Sequence, residues 1–402
     1  MQYDFESIIE RAGKDAIAVD RPLREGYMNT QVKEGFSIIP MWVADMNFAT
    51  LPDITTAIIE RAKHPTYGYF DPSDEYYASI IEWHRKRYGV NDLKPEYIGY
   101  ENGVLGGIAS ALRVLCAPGD NILIQAPTYI GFSKTCADNG YNLILNQLIQ
   151  DDEGIWRIDY DDVESKLKEH DIHTAIFCSP HNPLGRVWEA EEIARLMEIY
   201  REHDVYVIAD EIWADLIMPN KKHIPVHTIS EDAKKRTITL YAPSKTFNLA
   251  GLVGSYHVIY DDYLRARVNK EARRTHYNAM NVLSMHALIA AYSVNGAIWL
   301  EQLKEVLQNN IDYACNFISE NFPDVKLSKP QGTYMLFLDC QQYCQKHDIS
   351  IEQLQKLGVE HGVIWQDGRA FHGMTHIRMN VALPLELLEE AMHRLKRYVF
   401  IK

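Results

Sequence analysis

The chain has little cysteine and no long run of uninterrupted hydrophobicity. Six cysteines (Cys116, Cys136, Cys178, Cys315, Cys340 and Cys344) are scattered over 402 residues with no Cys-x-x-Cys pair. That spacing argues against a disulfide framework and against a metal site built on Cys340 and Cys344. No segment approaches the roughly 18 apolar residues needed to cross a bilayer. The N-terminal stretch mixes charged and apolar side chains and has no signal-peptide core. A cytoplasmic protein with no membrane partner is therefore expected. Positive charge is also scarce: the formal net charge is −14, which repels polyanions and makes a nucleic-acid partner a poor expectation. The one dense basic cluster, Lys270, Arg273 and Arg274, has the spacing of a solvated helix face. Repeats, low-complexity tracts, a Gly-x-Gly-x-x-Gly fingerprint and a P-loop are all missing. His372 and His376 flank Gly373 in a loop-like stretch and read as structural.

What is present has the texture of a soluble enzyme, with 47% hydrophobic and 24% charged residues. The length exceeds what one compact core uses, so two lobes are expected. In the middle of the chain, short apolar runs alternate with amphipathic helical patterns. Strands are predicted at Asn121–Ala126, Asn142–Gln147, Thr174–Cys178, Val205–Ala209, Thr237–Tyr241 and Ser255–Ile259. Between Glu189 and His203, residues Ile193, Leu196, Met197 and Tyr200 fall on one helical face. Such alternation indicates a largely parallel α/β sheet. Beyond Val282 the pattern turns to long helices (Leu283–Val294, Trp299–Asn321 and Leu385–Tyr398) with short strands near Thr333–Leu338 and Ile377–Ala382.

Three features carry chemistry. Ser244-Lys245 follows directly on the strand Thr237–Tyr241, where a parallel sheet delivers side chains to its ligand crevice. Most lysines are surface charges, but the next residues, Thr246-Phe247-Asn248-Leu249-Ala250-Gly251-Leu252, are too apolar for an ordinary surface loop. Asp210 ends a buried strand, where a carboxylate needs a cation or donors to offset its desolvation; capping the next helix is the plainer alternative. Asn102-Gly103-Val104-Leu105-Gly106-Gly107 opens the helical run Ile108–Leu115, a place where backbone N–H groups grip a phosphate.

With these residues the chain resembles a known family. Ala242-Pro243-Ser244-Lys245-Thr246-Phe247-Asn248, Ser179-Pro180-His181-Asn182-Pro183-Leu184-Gly185-Arg186-Val187-Trp188 and Pro40-Met41-Trp42-Val43-Ala44-Asp45-Met46 are similar to the fold-type I, aspartate-aminotransferase-like enzymes of pyridoxal 5'-phosphate (PLP). They resemble more narrowly the C–S β-lyase branch, the cystathionine β-lyase group of MalY and PatB. The likeness runs in order over nearly the whole chain. It implies an α/β fold with a mostly parallel seven-stranded sheet in a large PLP-binding domain (47–286), a small α+β domain (287–402), and an N-terminal segment (1–46) joining the latter.

The resemblance also implies roles. Lys245 would hold PLP as a Schiff base and act as the base at the substrate Cα. Asp210 would pair with the pyridinium nitrogen. Asn182 would bond the phenolic oxygen, and Tyr129 would stack on the ring as the second catalytic residue. Gly103, Val104 and Leu105, with Ser244, would hold the phosphate. Tyr69, or its neighbour Tyr67, would reach the phosphate of a second subunit in a homodimer. Arg378, with Asn182, would bind the substrate carboxylate.

Departures from the family pattern bear on the substrate. Trp213 stands where aminotransferases place a tyrosine hydroxyl, and an indole N–H donates but neither accepts nor ionises. Asn47 replaces an aspartate common in the lyase branch near the expected active-site entrance, and Ala242 removes a hydroxyl before the lysine. Tyr27, Trp42, Tyr129, Trp213 and Trp365 are aromatic candidates for a pocket wall, with core positions the plainer reading of most. The implied reaction is β-elimination from L-cystathionine or L-cysteine to pyruvate, ammonia and a thiol. Transamination, which uses the same residues, is the alternative.

Overall fold

The computed structural model describes residues 2–24 and 30–401. The chain divides into two compact units, a larger one of Thr50–Asn182 with Arg186–Glu301 and a smaller one of Met1–Ala49, Pro183–Gly185 and Gln302–Lys402. The division falls inside the helix Val294–Asn321.

The larger unit is built on a seven-stranded sheet. Its strands are β1 (Ile98–Asn102), β2 (Asn121–Ala126), β3 (Asn142–Gln147), β4 (Thr174–Cys178), β5 (Tyr206–Asp210), β6 (Thr237–Tyr241) and β7 (Gly254–Val258). They lie in the order β1-β7-β6-β5-β4-β2-β3. β7 is antiparallel to both neighbours and the remaining pairs are parallel. β4 and β6 are buried at every position, which explains why they read as continuous apolar and β-branched runs rather than as alternating ones. Helices supply the crossovers that parallel pairs need. In one of them, Ala190–Glu202, the predicted face of Ile193, Leu196, Met197 and Tyr200 is the buried one.

Four of the predicted strands have the observed ends, and β5 and β7 are shifted by one residue. The shift at β5 matters because it makes Asp210 the last residue of the strand. β1 escapes sequence reading. Gly99 is needed there because a side chain would collide with the His257 ring. Glu101 is buried by pairing with His257 Nδ1 at 2.7 Å.

Register decides where the strand ends fall. Cys178 lies opposite Asp210, and Asp210 opposite Leu240, so β4, β5 and β6 finish level at one edge of the sheet. The turns starting at Ser179, Glu211 and Ala242 leave from that edge, as does Pro127 after β2. β1 runs in the same sense as β6, because β7 between them is antiparallel to both, and it delivers Gly103 to the same edge.

The smaller unit holds a three-stranded antiparallel sheet of β8 (Met335–Asp339), β9 (Gln366–Asp367) and β10 (His376–Asn380), with β10 in the centre. The N-terminal strand Ile39–Pro40 pairs in parallel with Val363–Ile364 of this unit. Among the described residues no single helix is long and apolar enough to cross a membrane, and the cysteines are free thiols.

Candidate functional site

The sheet edge first offers an anion cradle. Gly103 follows β1 with φ near +83°, a conformation that disfavours any side chain. Its N–H donates to Val253 O at 3.1 Å, and the helix Val104–Leu115 starts immediately after it with no side-chain cap. The first-turn N–H groups, those of Val104 and Leu105 among them, thus face outward as donors to an anion. Gly107 lets this helix press on β6, since a Cβ there would lie 2.7 Å from Leu240 Cδ2.

Two further turns close on the same place. Tyr129 follows β2, half-buried, with its ring edge-on to Phe132 at 5.4 Å. A side chain at Gly131 would strike both the Tyr129 ring and the Leu105 methyls, so Tyr129 and the start of the helix Val104–Leu115 share one small space. His181, after β4, is buried and its Nε2 meets Pro127 O at 2.7 Å, tying this turn to the one that carries Tyr129. Burial pushes the His181 imidazole down to about 4, so at neutral pH it is uncharged and donates to that carbonyl. Asn182, next in the chain, is buried as well.

The turns after β5 and β6 bring an acid and an amine within electrostatic reach of each other. Asp210 is 4% exposed, and the hydrogen bond given to its carboxylate comes from the Ile212 N–H at 3.0 Å. Burial pushes this carboxyl up to about 7, opposed first by that N–H and then by the charge of Lys245. Lys245 is half-buried, its Nζ 5.8 Å from the centre of the Trp213 ring. Ser244 beside it is half-buried too, and its carbonyl accepts the Leu249 N–H at 3.0 Å.

These turns rest on a buried carboxylate that sequence reading passed over. Asp215 accepts hydrogen bonds from Trp83 Nε1 (3.0 Å), the Tyr88 hydroxyl (2.6 Å) and the Thr246 hydroxyl (3.0 Å), and pairs with Arg87 Nε at 3.1 Å. A signal did exist. Asp215 is a single charge inside Ile212-Trp213-Ala214-Asp215-Leu216-Ile217-Met218, and a charge embedded in apolar sequence implies buried partners.

The remaining candidates lie elsewhere. Tyr69 is fully exposed. It borders an open groove of about 770 Å³ lined by the loop Tyr67 to Phe70, Pro72, Tyr100 and the segment Asn278 to Leu283. Tyr67 is more engaged, its hydroxyl donating to Ala62 O at 3.0 Å. In the smaller unit Arg378 is buried on β10. Its Nη2 donates to Trp42 O at 2.8 Å and to Gln366 Oε1 at 2.5 Å, and the guanidinium lies 4.4 Å from the Phe371 ring centre.

Asn47 is buried, accepting from Arg11 Nη1 at 2.6 Å and donating to Pro40 O at 3.3 Å, so it serves the packing of the N-terminal segment. Trp42 and Trp365 are core residues whose indole N–H groups bond Ala18 O and Gln355 O. Tyr27 lies outside the described residues. Lys270, Arg273 and Arg274 are exposed on the helix Asp262–Thr275.

The chemistry of this edge fits PLP. A desolvated carboxylate with little to offset it is suited to a pyridinium N–H. The uncapped helix start behind Gly103 suits a dianionic phosphate, and the Lys245 amine stands close enough to Asp210 to influence its ionisation.

Comparisons with known proteins agree. Residues 38–395 match the family model for class I and II aminotransferases. Cystathionine beta-lyase PatB of Bacillus subtilis is 35% identical over 361 residues, covering 89% of this chain and 92% of the relative. A PLP-bound C–S lyase from Staphylococcus hominis superposes with a TM-score of 0.88 at 33% identity, covering 98% of both chains. Cystalysin from Treponema denticola, which contains PLP, gives a TM-score of 0.91 at 28% identity over 99% of this chain and 98% of its own.

Proposed function

The chain belongs to the class I and II aminotransferase family, and from that premise we propose that it is a PLP-dependent C–S β-lyase. It would act on L-cystathionine or L-cysteine-type amino acids, releasing pyruvate, ammonia and a thiol. The observation that carries the PLP reading is the desolvated Asp210 at the end of one strand, within electrostatic reach of Lys245 in the turn that follows the adjacent strand. The reaction type is supported by the relatives named as lyases over nearly their whole length.

PLP bound at this edge supplies an electron sink for the carbanion left when the substrate loses its Cα proton. The chain's own residues do the rest. Lys245 holds the cofactor through its ε-amine. That amine, freed when substrate binds, would be the base that removes the Cα proton. Asp210, kept ionised by a cationic partner, fixes the pyridine nitrogen. The Asn182 amide would donate to the phenolic oxygen, and the Tyr129 ring would cover the pyridine face. The N–H groups of Val104 and Leu105 behind Gly103, with the Ser244 hydroxyl, would hold the phosphate.

Arg378, with Asn182, grips the substrate carboxylate. As the Cβ–S bond breaks, its electron pair leaves with sulfur, and the proton held on Lys245 neutralises the thiolate. The Lys245 amine, having given up that proton, would retake its place on the cofactor and so free the enamine, which takes up water and yields pyruvate and ammonia. The reading includes a cytoplasmic homodimer in which Tyr69 reaches the phosphate site of a second copy; its full exposure beside an open groove supports this.

The test is to incubate purified, PLP-supplied protein with L-cystathionine and no keto acid. Multiple-turnover pyruvate is the expected result. A visible band that bleaches without pyruvate and is restored by a keto acid would make the protein an aminotransferase.

A further inference from the structure

Asp215 holds the lysine turn in place through Thr246. Its carboxylate is 4% exposed and divides its partners by side. Oδ1 takes Trp83, Tyr88 and Arg87, all from the helix Asp74–Tyr88, while Oδ2 takes the Thr246 hydroxyl at 3.0 Å. Thr246 is itself 1% exposed and adjoins Lys245. Asp215 closes the turn that begins at Asp210 and contains Trp213, whose ring faces the Lys245 amine. A single carboxylate thereby fastens the acid-bearing turn, the lysine-bearing turn and one helix to one another.

The next residue strengthens the fastening. Phe247 is fully buried, stacked on Trp299 at 5.3 Å and tilted against Trp83 at 6.0 Å, and its carbonyl accepts the Thr50 hydroxyl at 2.6 Å. Lys245 is thus followed by two anchored residues, both tied to the helix Asp74–Tyr88. A long lysine side chain has ample rotamer freedom of its own. Fixing its backbone is what restricts where the amine can stand relative to Asp210.

Resting on the PLP reading above, we propose that Asp215 and Thr246 are positioning residues that set the placement of the Lys245 amine against Asp210. The Asp215 carboxylate suits this task because it balances the Arg87 charge while leaving a second oxygen for Thr246. Arg87 also reaches Glu301 at 3.0 Å, so its pairing does not rest on Asp215 alone.

The gentle probe is Thr246→Val, which keeps shape and burial and removes only the hydroxyl, with Thr246→Ser as the restoring variant. In cofactor-loaded enzyme, Thr246→Val is expected to lower kcat on the order of tenfold or more with KM little changed, as small misplacements of a reacting group do. It should also shift the pH midpoint of the visible absorption band. In cofactor-free protein the amides of Phe247 and Leu249, bonded to Pro243 O and Ser244 O, should lose hydrogen-exchange protection. Thr246→Ser should restore all three.

A wild-type kcat, band midpoint and exchange pattern in Thr246→Val would overturn the proposal. If wild-type protein takes up no PLP, the functional reading fails instead, and the exchange pattern alone still decides whether Thr246 holds the turn.

Discussion

Asp210 and Asp215 stand at the two ends of one turn, equally buried at 4% exposure, and their surroundings are opposite. Asp215 is saturated by an indole, a phenol, a hydroxyl and a guanidinium. Asp210 has a backbone N–H and a lysine near enough to oppose its desolvation only in part. A buried acid with its partners built in serves the scaffold. One left short of positive charge is costly until a ligand supplies it. The contrast supports the proposal that Asp210 is a ligand-binding carboxylate without appeal to its place in any motif.

The difference can be broken at several points. The largest effect concerns stability and pH. The Asp210 carboxyl titrates at about 7 in the folded protein, whereas in the unfolded chain it titrates near ~4. Between those values the folded form keeps a proton that the unfolded form has lost. Stability from this group is therefore present below the lower value and is lost as pH rises through the upper one, by on the order of 4 kcal/mol. Cofactor-free protein should lose stability from about pH 4 to about pH 7 in urea titrations, and Asp210→Asn should flatten that slope. An Asn variant with the wild-type slope would remove the contrast.

In loaded enzyme, Asp210→Asn should lower turnover on the order of 10²–10³-fold, as deleting a preorganised electrostatic partner does, with modest effect on folding. Asp215→Asn reverses the balance. It should cost about 2 kcal/mol of stability because the buried donors Trp83, Tyr88 and Thr246 lose a charged acceptor. Equal effects of the two substitutions on both readouts would contradict the assignment.

The smallest expected effect sharpens the comparison with the smaller unit, where Arg378 is a buried charge held in advance by Gln366 and the Trp42 carbonyl. Gln366→Ala should weaken binding of an amino acid by about 1.5 kcal/mol, the worth of a charge-assisted hydrogen bond. Binding of the matching amine without a carboxylate, followed by spectral titration, should be unchanged. Equal weakening of both ligands would mean that Arg378 does not meet the carboxylate.

Much of this was legible in sequence because apolar, β-branched runs such as Thr237–Tyr241 are dictated by burial on both faces of a parallel sheet. Lys245 and Asp210 stood out as charges at the ends of such runs. What stayed hidden depends on convergence in space. β1 was missed because its polarity, Glu101 against His257, is satisfied by a strand more than 150 residues away. The start of the helix Val294–Asn321 was missed because Ser293-Val294-Asn295-Gly296 looks like a break. In the structure the Ser293 hydroxyl accepts the Gly296 N–H at 3.1 Å, and a side chain at Gly296 would strike Ala291 O. Asp215 carried a local signal, but nothing in one dimension says that its donors come from the helix Asp74–Tyr88 and from Thr246.

The chemistry rests on which amine holds the cofactor. Reducing the PLP-loaded protein with borohydride and locating the fixed pyridoxyl group by peptide mass spectrometry answers this directly. The label is expected on Lys245 alone, and Lys245→Ala should carry none and release no pyruvate from L-cystathionine. A label on another lysine, or pyruvate production undiminished in Lys245→Ala, would contradict the assignment.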